Sequence, residues 1–592
     1  MSEYSSSSSP SPVSSPPSTP PNLHQNTINP SAKWLVQKFG GTSVGKYPAK
    51  IARDVVSNYI DGNKVAIVCS ARSGSTKSLG TTSLLLRAAS EAIKRPQKPS
   101  SSSSPKQSQP ESGLFSPSSS SIPGTPSHDR SYSWENCPAS NSPRCGDLQM
   151  EFNATVELIK QEHFTAAREA IEDPDIRQEL ENEIVRDCDW LKSFLFASQV
   201  INEVSPRSKD SIVGLGERMA CKFMTAVLRD QGIDAEYVSL EDIVPEADED
   251  GTSTLTQEFY DRVAIAVGER VQQCAPRVPV VTGFFGPVPG SLLSQVGRGY
   301  TDLLSALLAV GLEAAELQIW KEVDGIFTAD PRKVPTARVL PIITPDEAAE
   351  LTYYGSEVVH PFTMEQVIRR KIPIRIKNVE NPPGQGTVIF PDPESEPSVI
   401  LETSHGVLPN VLDTSIHTLQ AQHDLMSTNR RLPTAVTIKE NILVININSN
   451  RKSVSHGFFA GIFGTLDRFG VVVDLISTSE VQVSMAIEDT GKDKVVERLI
   501  RELKKNGEVT VHRNMTILSL VGKHMRHLVG VAGKMFTTLG NGNVNIEMIS
   551  QGASEINISC VIEGKDAVKA LNLIHQTCLQ IPATGRIGPW LF

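Results

Sequence analysis

The segment WLVQKFGGTSVG, residues 34–45, constrains the fold most strongly because it joins a short apolar run, a lysine and a glycine pair. The apolar run predicts a buried strand, and Gly40 and Gly41 predict a turn where backbone N–H groups can approach a ligand closely. Such a turn, leading into a helix N-terminus, suits the phosphates of a nucleotide. Lys38 precedes the glycines, so the spacing differs from the Walker pattern GxxxxGK[ST]. From these residues alone, a lysine lying beside an ordinary strand–helix turn is an equal alternative.

Two segments rich in Ser and Pro interrupt the chain of 592 residues. Residues 1–30 are predicted to be a disordered tail, since they carry too few apolar side chains to offset the entropy lost on ordering. Residues 96–146 have the same composition and are predicted to be a disordered insertion in a surface loop. At ~150 residues per domain, a chain of this length is expected to contain three or four structural units.

The composition excludes several classes of protein. The formal charge of −10 argues against nucleic-acid binding through a broad basic surface. The eight cysteines form no CxxC pair and have no histidine at metal-ligand spacing, which indicates reduced, structural thiols and no metal site in the protein. No apolar run reaches the ~20 residues of a membrane span, and the N-terminus lacks the features of a secretory signal. We therefore expect a cytoplasmic protein that binds neither nucleic acid nor membrane.

Polar and glycine-rich loops follow the predicted strands one after another. VAIVC, residues 65–69, predicts a buried strand whose end carries Ser70 and, in the next loop, Thr76. SIVGLGERMACKFMTAVLRD predicts a short strand, a glycine turn and a helix whose first turn holds Glu217 and Arg218. On this pattern alone, a carboxylate at a helix start more often just complements the helix dipole.

The next strand–loop–helix segment is VPVVTGFFGPVPGSLLSQVGRGYTDLLSALLAVGLEA. A strand from Val278 to Phe284 is followed by a long glycine loop and by a helix that begins near Asp302. Arg298 and Asp302 are thereby placed at a loop–helix junction. The alternative for Asp302 is a simple N-cap.

A strand from Leu317 to Trp320 and its loop, with Lys321, Phe327 and Arg332, continue the alternation. Strands that alternate with helices, with glycine loops at the strand ends, are typical of an open α/β sheet that binds its ligand there. The C-terminal part instead contains a repeat, visible in VVVDLISTSEVQVSMAIE and NVNIEMISQGASEINISCVIE. Each copy follows the order β-α-β-β-α, and EVTVHRN adds a last strand to the first copy, as in the ferredoxin-like split βαβ unit.

These motifs together resemble the aspartate kinases (aspartokinases) of the fungal, monofunctional type. The resemblance is carried by six ordered motifs: KFGGTSVG, VGLGERMA, GRGYTDLLSALLA, WKEVDGIFTADPR, YYGSEVVHPFTME and the doubled VDLISTSEV-type segment. It implies an α/β fold, an αβα amino-acid-kinase sandwich with a mostly parallel sheet, followed by tandem ferredoxin-like (βαββαβ) ACT domains. The implied units are a kinase domain at 31–397, a linker at 398–432, a first ACT domain at 433–514 and a second at 515–592.

The resemblance also implies the reaction and the residues that serve it. ATP and L-aspartate would give 4-phospho-L-aspartate and ADP, the first step towards threonine and methionine, with Mg²⁺ held mainly by ATP and water. Lys38 and Asp302 match the catalytic centre. The matching substrate positions are Thr42, Ser43, Ser70, Thr76, Glu217 and Arg298; the matching nucleotide positions are Lys38, Gly40, Gly41, Lys321, Glu322, Phe327 and Arg332. Many bacterial members have lysine at Glu357, and this departure leaves open whether Glu357 and His360 contact ATP; the alternative for His360 is packing in the core.

For the ACT domains the resemblance implies feedback inhibition by an amino acid, threonine in the fungal enzymes and lysine in several bacterial ones. The matching effector positions are Ser455, Gly457, Phe458, Asp474, Thr478 and Ser479, with His456 beside them; the alternative for Asp474 is an exposed strand residue. A homo-oligomer formed through the ACT domains is expected. Two alternatives remain: another amino-acid kinase such as glutamate 5-kinase, disfavoured by the KFGGTSV motif with its paired repeat, and a non-catalytic amino-acid sensor, disfavoured by the presence of Lys38, Arg298 and Asp302.

Overall fold

Two β-sheets, one mostly parallel and one antiparallel, organise the chain in the computed structural model. The structure describes residues 23–74, 79–93, 151–244, 255–286, 288, 290–354, 359–390, 432–449, 457–491, 493–523, 525, 528–552 and 556–581. The predicted insertion at 96–146 and most of the predicted tail and linker lie outside these residues. The domain boundaries given above stay predictions.

The first sheet and its helices extend from residue 34 to residue 389. In chain order the elements are β1 (Trp34–Phe39), α1 (Gly41–Lys46), α2 (Pro48–Lys50), β2 (Lys64–Cys69), α3 (Thr81–Ile93), α4 (Glu151–Ala170), α5 (Pro174–Ile201), α6 (Pro206–Asp230), β3 (Ala235–Val238), α7 (Gln257–Gln272), β4 (Val278–Thr282), α8 (Leu292–Gln295), α9 (Tyr300–Gly311), β5 (Glu316–Lys321), β6 (Ile342–Ile343), α10 (Pro345–Tyr353), α11 (Pro361–Ile368), β7 (Ile374–Asn378) and β8 (Thr387–Ile389). None of the helices in the described ranges is long and apolar enough to cross a membrane.

The strand order of the first sheet is β3-β4-β2-β1-β5-β7-β8-β6, and every pair is parallel except β7 with β8. The chain passes from β1 to its neighbour β2 and later places β5 on the opposite side of β1. The crevice at the carboxyl ends of such strands is where open α/β sheets bind ligands. Lys38 lies on β1, next to this crevice. The predicted α/β sandwich is confirmed.

Helices cover both faces of this sheet. The apolar face of α9, including Leu303, Leu304, Leu307 and Leu308, is buried as predicted and packs in one core cluster with residues of α7 and α11. Phe39 and Trp320 belong to the cluster on the opposite face, where α3 to α6 pack. The six cysteines in the described residues are unpaired and buried, in agreement with the predicted reduced thiols.

Helix α6 corrects one prediction. The expected strand and glycine turn before Glu217 are wrong, because α6 is continuous from Pro206, with Ser205 as its N-cap. The glycines serve packing instead of a turn. A Cβ on Gly214 would lie 2.6 Å from the ring of Phe284, and one on Gly216 would lie 2.8 Å from Leu85. Glu217 is therefore in the middle of a helix, and its interpretation as a helix-start charge is also wrong.

The second sheet contains the C-terminal repeat. Its elements are β9 (Ala435–Ser449), α12 (Phe458–Arg468), β10 (Val473–Thr478), β11 (Gln482–Glu488), α13 (Asp493–Leu503), β12 (Gly507–Val521), α14 (Val531–Asn541), β13 (Met548–Ser550), β14 (Asn557–Glu563) and α15 (Ala567–Cys578). The strand order is β10-β11-β9-β12-β14-β13, with all pairs antiparallel. The two predicted ferredoxin-like units are confirmed and share one continuous sheet.

The two units are interleaved through the long strands β9 and β12. The first half of β9 pairs with Ile517–Val521, so it supplies the second unit with the fourth strand that its own sequence lacks. The second half of β9 pairs with β11 and with Gly507–His512, within the first unit. The expected boundary at residue 514 falls inside β12. A bend in one long strand can therefore affect both units.

The ACT sheet is attached to the kinase unit by polar contacts. The backbone N–H of Val436 donates to the carbonyl of Thr328 at 2.9 Å, and Lys333 forms an ion pair with Glu440 at 2.7 Å. His575 on α15 is fully buried and lies 2.9 Å from Thr328 Oγ1. The loop that follows β5 is thus held by the second ACT unit.

Candidate active site

The centre of the site is the ion pair between Lys38 and Asp302. Lys38 lies near the carboxyl end of β1, and its Nζ is 2.6 Å from Asp302 Oδ1. Asp302 lies in the first turn of α9, and the N-cap residue is Gly299, so the N-cap interpretation of Asp302 is wrong. Both side chains are largely buried, at 10% and 19% exposure. The structure therefore brings together the two residues predicted to be catalytic.

The glycine turn lies directly beyond Lys38. Gly40 is the N-cap of α1, and a Cβ at this position would meet nothing within 4 Å. At Gly41 a Cβ would lie 2.2 Å from the carbonyl oxygen of Ala71, so this glycine is required by the close approach of the loop after β2. Gly40 instead leaves open space at the start of a helix, which suits a ligand.

Three polar residues predicted for the substrate lie around this turn. Ser43 is buried, and its Oγ donates to Glu322 Oε1 at 2.7 Å, which joins the start of α1 to the loop after β5. The backbone N–H of Ser70 donates to the carbonyl of Phe39 at 3.1 Å. Thr42 is half-buried in α1. The strand ends of β1, β2 and β5 thus converge here.

Glu217 is a buried carboxylate, 2% exposed. It accepts hydrogen bonds from the backbone N–H of Phe284 at 3.0 Å and from the hydroxyl of Thr301. Burial raises its pKa to about 7, against the opposing effect of these donors and of the Tyr300 hydroxyl. Thr301 immediately precedes Asp302, so Glu217 is tied to the helix turn that carries Asp302.

The other predicted residues of the kinase unit are distributed unevenly. Arg298 lies in the 3-10 turn Gly297–Gly299, just before α9. Thr76 and Glu357 lie outside the described residues. His360 is exposed at the N-cap of α11, so the alternative that it packs in the core is wrong.

The predicted nucleotide positions follow β5. Lys321 is its last residue, and Phe327 forms a bridge with Val339. Arg332 is 88% exposed, with its guanidinium bound to both oxygens of Asp330 at 3.1 and 3.2 Å. The structure holds this arginine at the surface of the loop that contacts the ACT sheet.

The predicted effector residues are divided between the two ends of β10. Asp474 lies near the start of the strand, where its Oδ1 is 2.7 Å from Lys439 Nζ. Thr478 and Ser479 lie at the other end. At a rise of ~3.3 Å per residue, four residues separate Asp474 from Thr478 by about 13 Å.

The remaining effector positions lie at the N-terminus of α12. Gly457 is its N-cap with a φ of +81°, and Phe458 is buried. Ser455 and His456 lie outside the described residues. One chain therefore does not gather all the described effector positions in one place.

Sequence reasoning missed two charged residues. One is Glu347, between the kinase unit and the ACT sheet, and the other is Lys439, within the ACT sheet. Glu347, 4% exposed, forms a capping box with Thr344 and also accepts from Thr434 Oγ1 at 2.6 Å and from the Lys523 N–H at 2.7 Å. The sequence TPDE carries the signal for the capping box but not for its ACT contacts. Lys439 lies among the alternating apolar residues of β9. Nothing in the neighbouring sequence indicates that its partner is Asp474 on β10.

The fold and the site define an amino-acid kinase joined to an ACT module, and comparison with known proteins agrees. The amino acid kinase family matches residues 33–378, and the ACT domain matches residues 518–577. An aspartokinase of Schizosaccharomyces pombe is 48% identical over 575 residues, covering 95% of this chain and 98% of its own. An aspartokinase of Saccharomyces cerevisiae is 45% identical over 561 residues, covering 93% of each chain.

Solved structures show the same fold. Escherichia coli aspartokinase III in complex with lysine and aspartate matches with a TM-score of 0.63 and 23% identity, over 92% of this chain and 99% of that chain. The aspartate kinase of Clostridium acetobutylicum matches with a TM-score of 0.60 and 22% identity, over 92% and 100%. The chain belongs to the aspartokinases, within the amino acid kinase family. The predicted resemblance and the prediction of a phosphotransferase are confirmed.

Proposed function

We propose that this protein transfers the γ-phosphate of ATP to the side-chain carboxylate of L-aspartate, giving 4-phospho-L-aspartate and ADP. The observation that carries the proposal is the Lys38–Asp302 ion pair at the carboxyl edge of the sheet, beside the glycine turn. The accepting carboxylate has a pKa of ~4 and is ionised at neutral pH, so the reaction needs no catalytic base. Positioning and neutralisation of charge then supply most of the catalysis.

The chain's own residues fit these two tasks. Lys38 places a cation where the transferred phosphoryl group would pass, and Asp302 fixes the direction of that cation. The open face of Gly40 admits phosphate oxygens to the backbone N–H groups of α1. Arg298 would bind the α-carboxylate of aspartate, because its planar fork matches a carboxylate, and Glu217 would bind the ammonium group.

A divalent cation fits this site mainly as a partner of the nucleotide. In the described ranges no group of three or more His, Cys, Asp or Glu residues could hold a metal ion, and Asp302 is already paired with Lys38. Mg²⁺ bound by ATP oxygens and water would neutralise phosphate charge. This arrangement leaves Lys38 as the protein's main charge on the transferred group.

We also propose that the protein is a homo-oligomer that catalyses the first step of threonine and methionine synthesis. Threonine would inhibit it by binding at the ACT sheet. Strand β10 is an edge strand, and its predicted effector residues lie at its two ends. Antiparallel pairing of this edge with a second copy would bring Asp474 of one chain towards Thr478 of the other. Such pairing would supply a complete effector site that one chain lacks.

The test is ADP release by the full-length protein with ATP, Mg²⁺ and L-aspartate, with hydroxylamine present to trap the acyl phosphate as a hydroxamate. L-glutamate replaces aspartate in a parallel reaction, and threonine and lysine are added separately. We expect aspartate-dependent hydroxamate that falls with threonine. Turnover of glutamate alone would establish a different amino-acid kinase. No turnover by folded protein that binds ATP or an amino acid would establish a sensor.

A further inference from the structure

Helix α6 presents two buried carboxylates on one face. Asp210 and Glu217 are seven residues apart, which is close to two full turns, so both point the same way. Each is only 2% exposed. Gly214 lies between them, where its missing side chain lets Phe284 pack against the helix backbone. This face of α6 is therefore in contact with the loop that connects β4 to α9.

Asp210 binds the second half of that loop. Its Oδ1 accepts from Ser291 Oγ at 2.9 Å and from the Leu293 N–H at 3.2 Å, and its Oδ2 accepts from the Leu292 N–H at 2.6 Å. Ser291 in turn accepts from the Ser294 N–H at 3.2 Å as the N-cap of α8. All three groups around Asp210 donate, so both of its oxygens are needed as acceptors.

The two carboxylates enclose the Arg298 turn. Residues 291–293 are held by Asp210, and Thr301 is held by Glu217, so the turn Gly297–Gly299 is anchored on both sides by the same helix. We propose that Asp210 is a positioning residue for the aspartate-binding subsite, which acts by fixing the turn that carries Arg298. The inference rests on the proposed function, in which Arg298 binds the α-carboxylate of the substrate.

An Asp210→Asn substitution tests this in the full-length enzyme. The amide offers one acceptor oxygen, and its NH₂ group would face an N–H donor, so part of the anchor is lost. We expect the KM for L-aspartate to rise about tenfold, with kcat and the KM for ATP within about twofold, since loss of a charge-assisted contact has this magnitude. Ser291→Ala removes one of the three donors to Asp210 together with the N-cap of α8, and should raise the same KM by about threefold, which provides a milder variant if Asp210→Asn folds poorly.

Asp187→Asn is the matched control. Asp187 is also a buried carboxylate, 6% exposed, and binds α6 from another side through Lys222 at 2.9 Å and Arg218 at 3.3 Å. It should lower the melting temperature without changing the KM for aspartate. An equal rise of this KM in Asp187→Asn would assign the effect to general loosening of α6 and overturn the inference.

A double-mutant cycle with Arg298→Lys separates this inference from the proposed function. In the Arg298→Lys background, Asp210→Asn should raise the KM for aspartate by less than about twofold, because both changes act on one contact. Full additivity, or an unchanged KM in the single variant, would overturn the role of Asp210 while the kinase activity stands. Absence of aspartate-dependent turnover in the unsubstituted enzyme would instead overturn the proposed function together with this role.

Discussion

Lys439 Nζ lies 2.7 Å from Asp474 Oδ1, and both side chains are largely buried, at 20% and 14% exposure. The alternative that Asp474 is a simple exposed strand residue is wrong, because its carboxylate already pairs with an internal cation, and its role in effector binding stays a prediction. Glu488 lies 3.6 Å from the same Lys439 nitrogen. An effector's ammonium group would have to compete with Lys439 for Asp474.

This competition predicts opposite effects of the two partners. Asp474→Asn should relieve inhibition, whereas Lys439→Met should lower the threonine concentration for half-inhibition by about fivefold, because a partly exposed pair contributes about 1 kcal/mol. Inhibition curves at fixed substrate measure this, with lysine tested if threonine has no effect. Glu508→Gln, which removes a carboxylate at an exposed position of β12, is the control. Shifts in the same direction for both variants would show that the pair serves only stability.

A second prediction concerns the catalytic pair. Lys38→Ala should lower kcat by at least a thousandfold, since it removes the cation that neutralises the transferred phosphoryl group. Asp302→Asn should lower kcat less, by about a hundredfold, because Lys38 would keep its charge but lose its fixed direction. Lys46→Ala, at an exposed position of α1, is the control. Initial rates measure the loss of kcat, and a melting curve shows whether each variant is folded. Near-normal turnover in folded Lys38→Ala would contradict this mechanism.

Much of the candidate site could be predicted because its signals are local. A strand, a lysine and a glycine turn stand together in the sequence, and parallel strands bring their carboxyl ends to one edge. The path of α6 could not be predicted this way. Its glycine spacing is typical of a turn. The glycines are instead needed for close packing against Phe284 and Leu85, which are distant in sequence. Lys439 was missed for the same reason, since its partner depends on how β9 passes through both units.

The two glycines of the turn give a third prediction. Gly41→Ala should lower the free energy of unfolding by about 2 kcal/mol or more, because its Cβ would overlap the Ala71 carbonyl. Gly40→Ala should leave stability nearly unchanged, since its Cβ meets nothing in the protein, and should raise the KM for ATP if phosphate approaches there. Denaturant unfolding and ATP kinetics distinguish the two. A Gly40→Ala enzyme with unchanged ATP kinetics would place the phosphates elsewhere.

Glu217 provides a pH-dependent prediction. Burial raises its pKa to about 7, from an ordinary value of 4.5, so the folded state binds the proton more tightly than the unfolded state. This stabilisation is complete below pH 4.5 and is lost as the pH rises through about 7. Relative to the unsubstituted protein, Glu217→Gln should therefore gain roughly 1 to 3 kcal/mol in the free energy of unfolding between pH 5 and pH 8.

The same titration should appear in substrate binding. Only the ionised carboxylate attracts the ammonium group of aspartate, so kcat/KM for aspartate should rise as the pH increases through about 7, and Glu217→Gln should abolish this inflection. The KM for ATP provides the internal control, since Glu217 is not assigned to the nucleotide. An inflection that survives in Glu217→Gln would assign the titration to another group.

Glu347 links the ACT sheet to the kinase unit, and its replacement should separate regulation from catalysis. One carboxylate oxygen caps α10 through Thr344, and the other accepts from Thr434 and from the Lys523 N–H. A glutamine can keep the capping box but would turn its NH₂ group towards the Lys523 N–H. We expect Glu347→Gln to keep uninhibited activity within about twofold and to weaken inhibition at least fivefold, because the coupling free energy between sites is typically 1–3 kcal/mol. Asp346→Asn loses an equal charge at an exposed position in the same helix turn and should behave as the unsubstituted enzyme. Inhibition unchanged in Glu347→Gln would move the route of regulation to the other contact, where His575 meets Thr328.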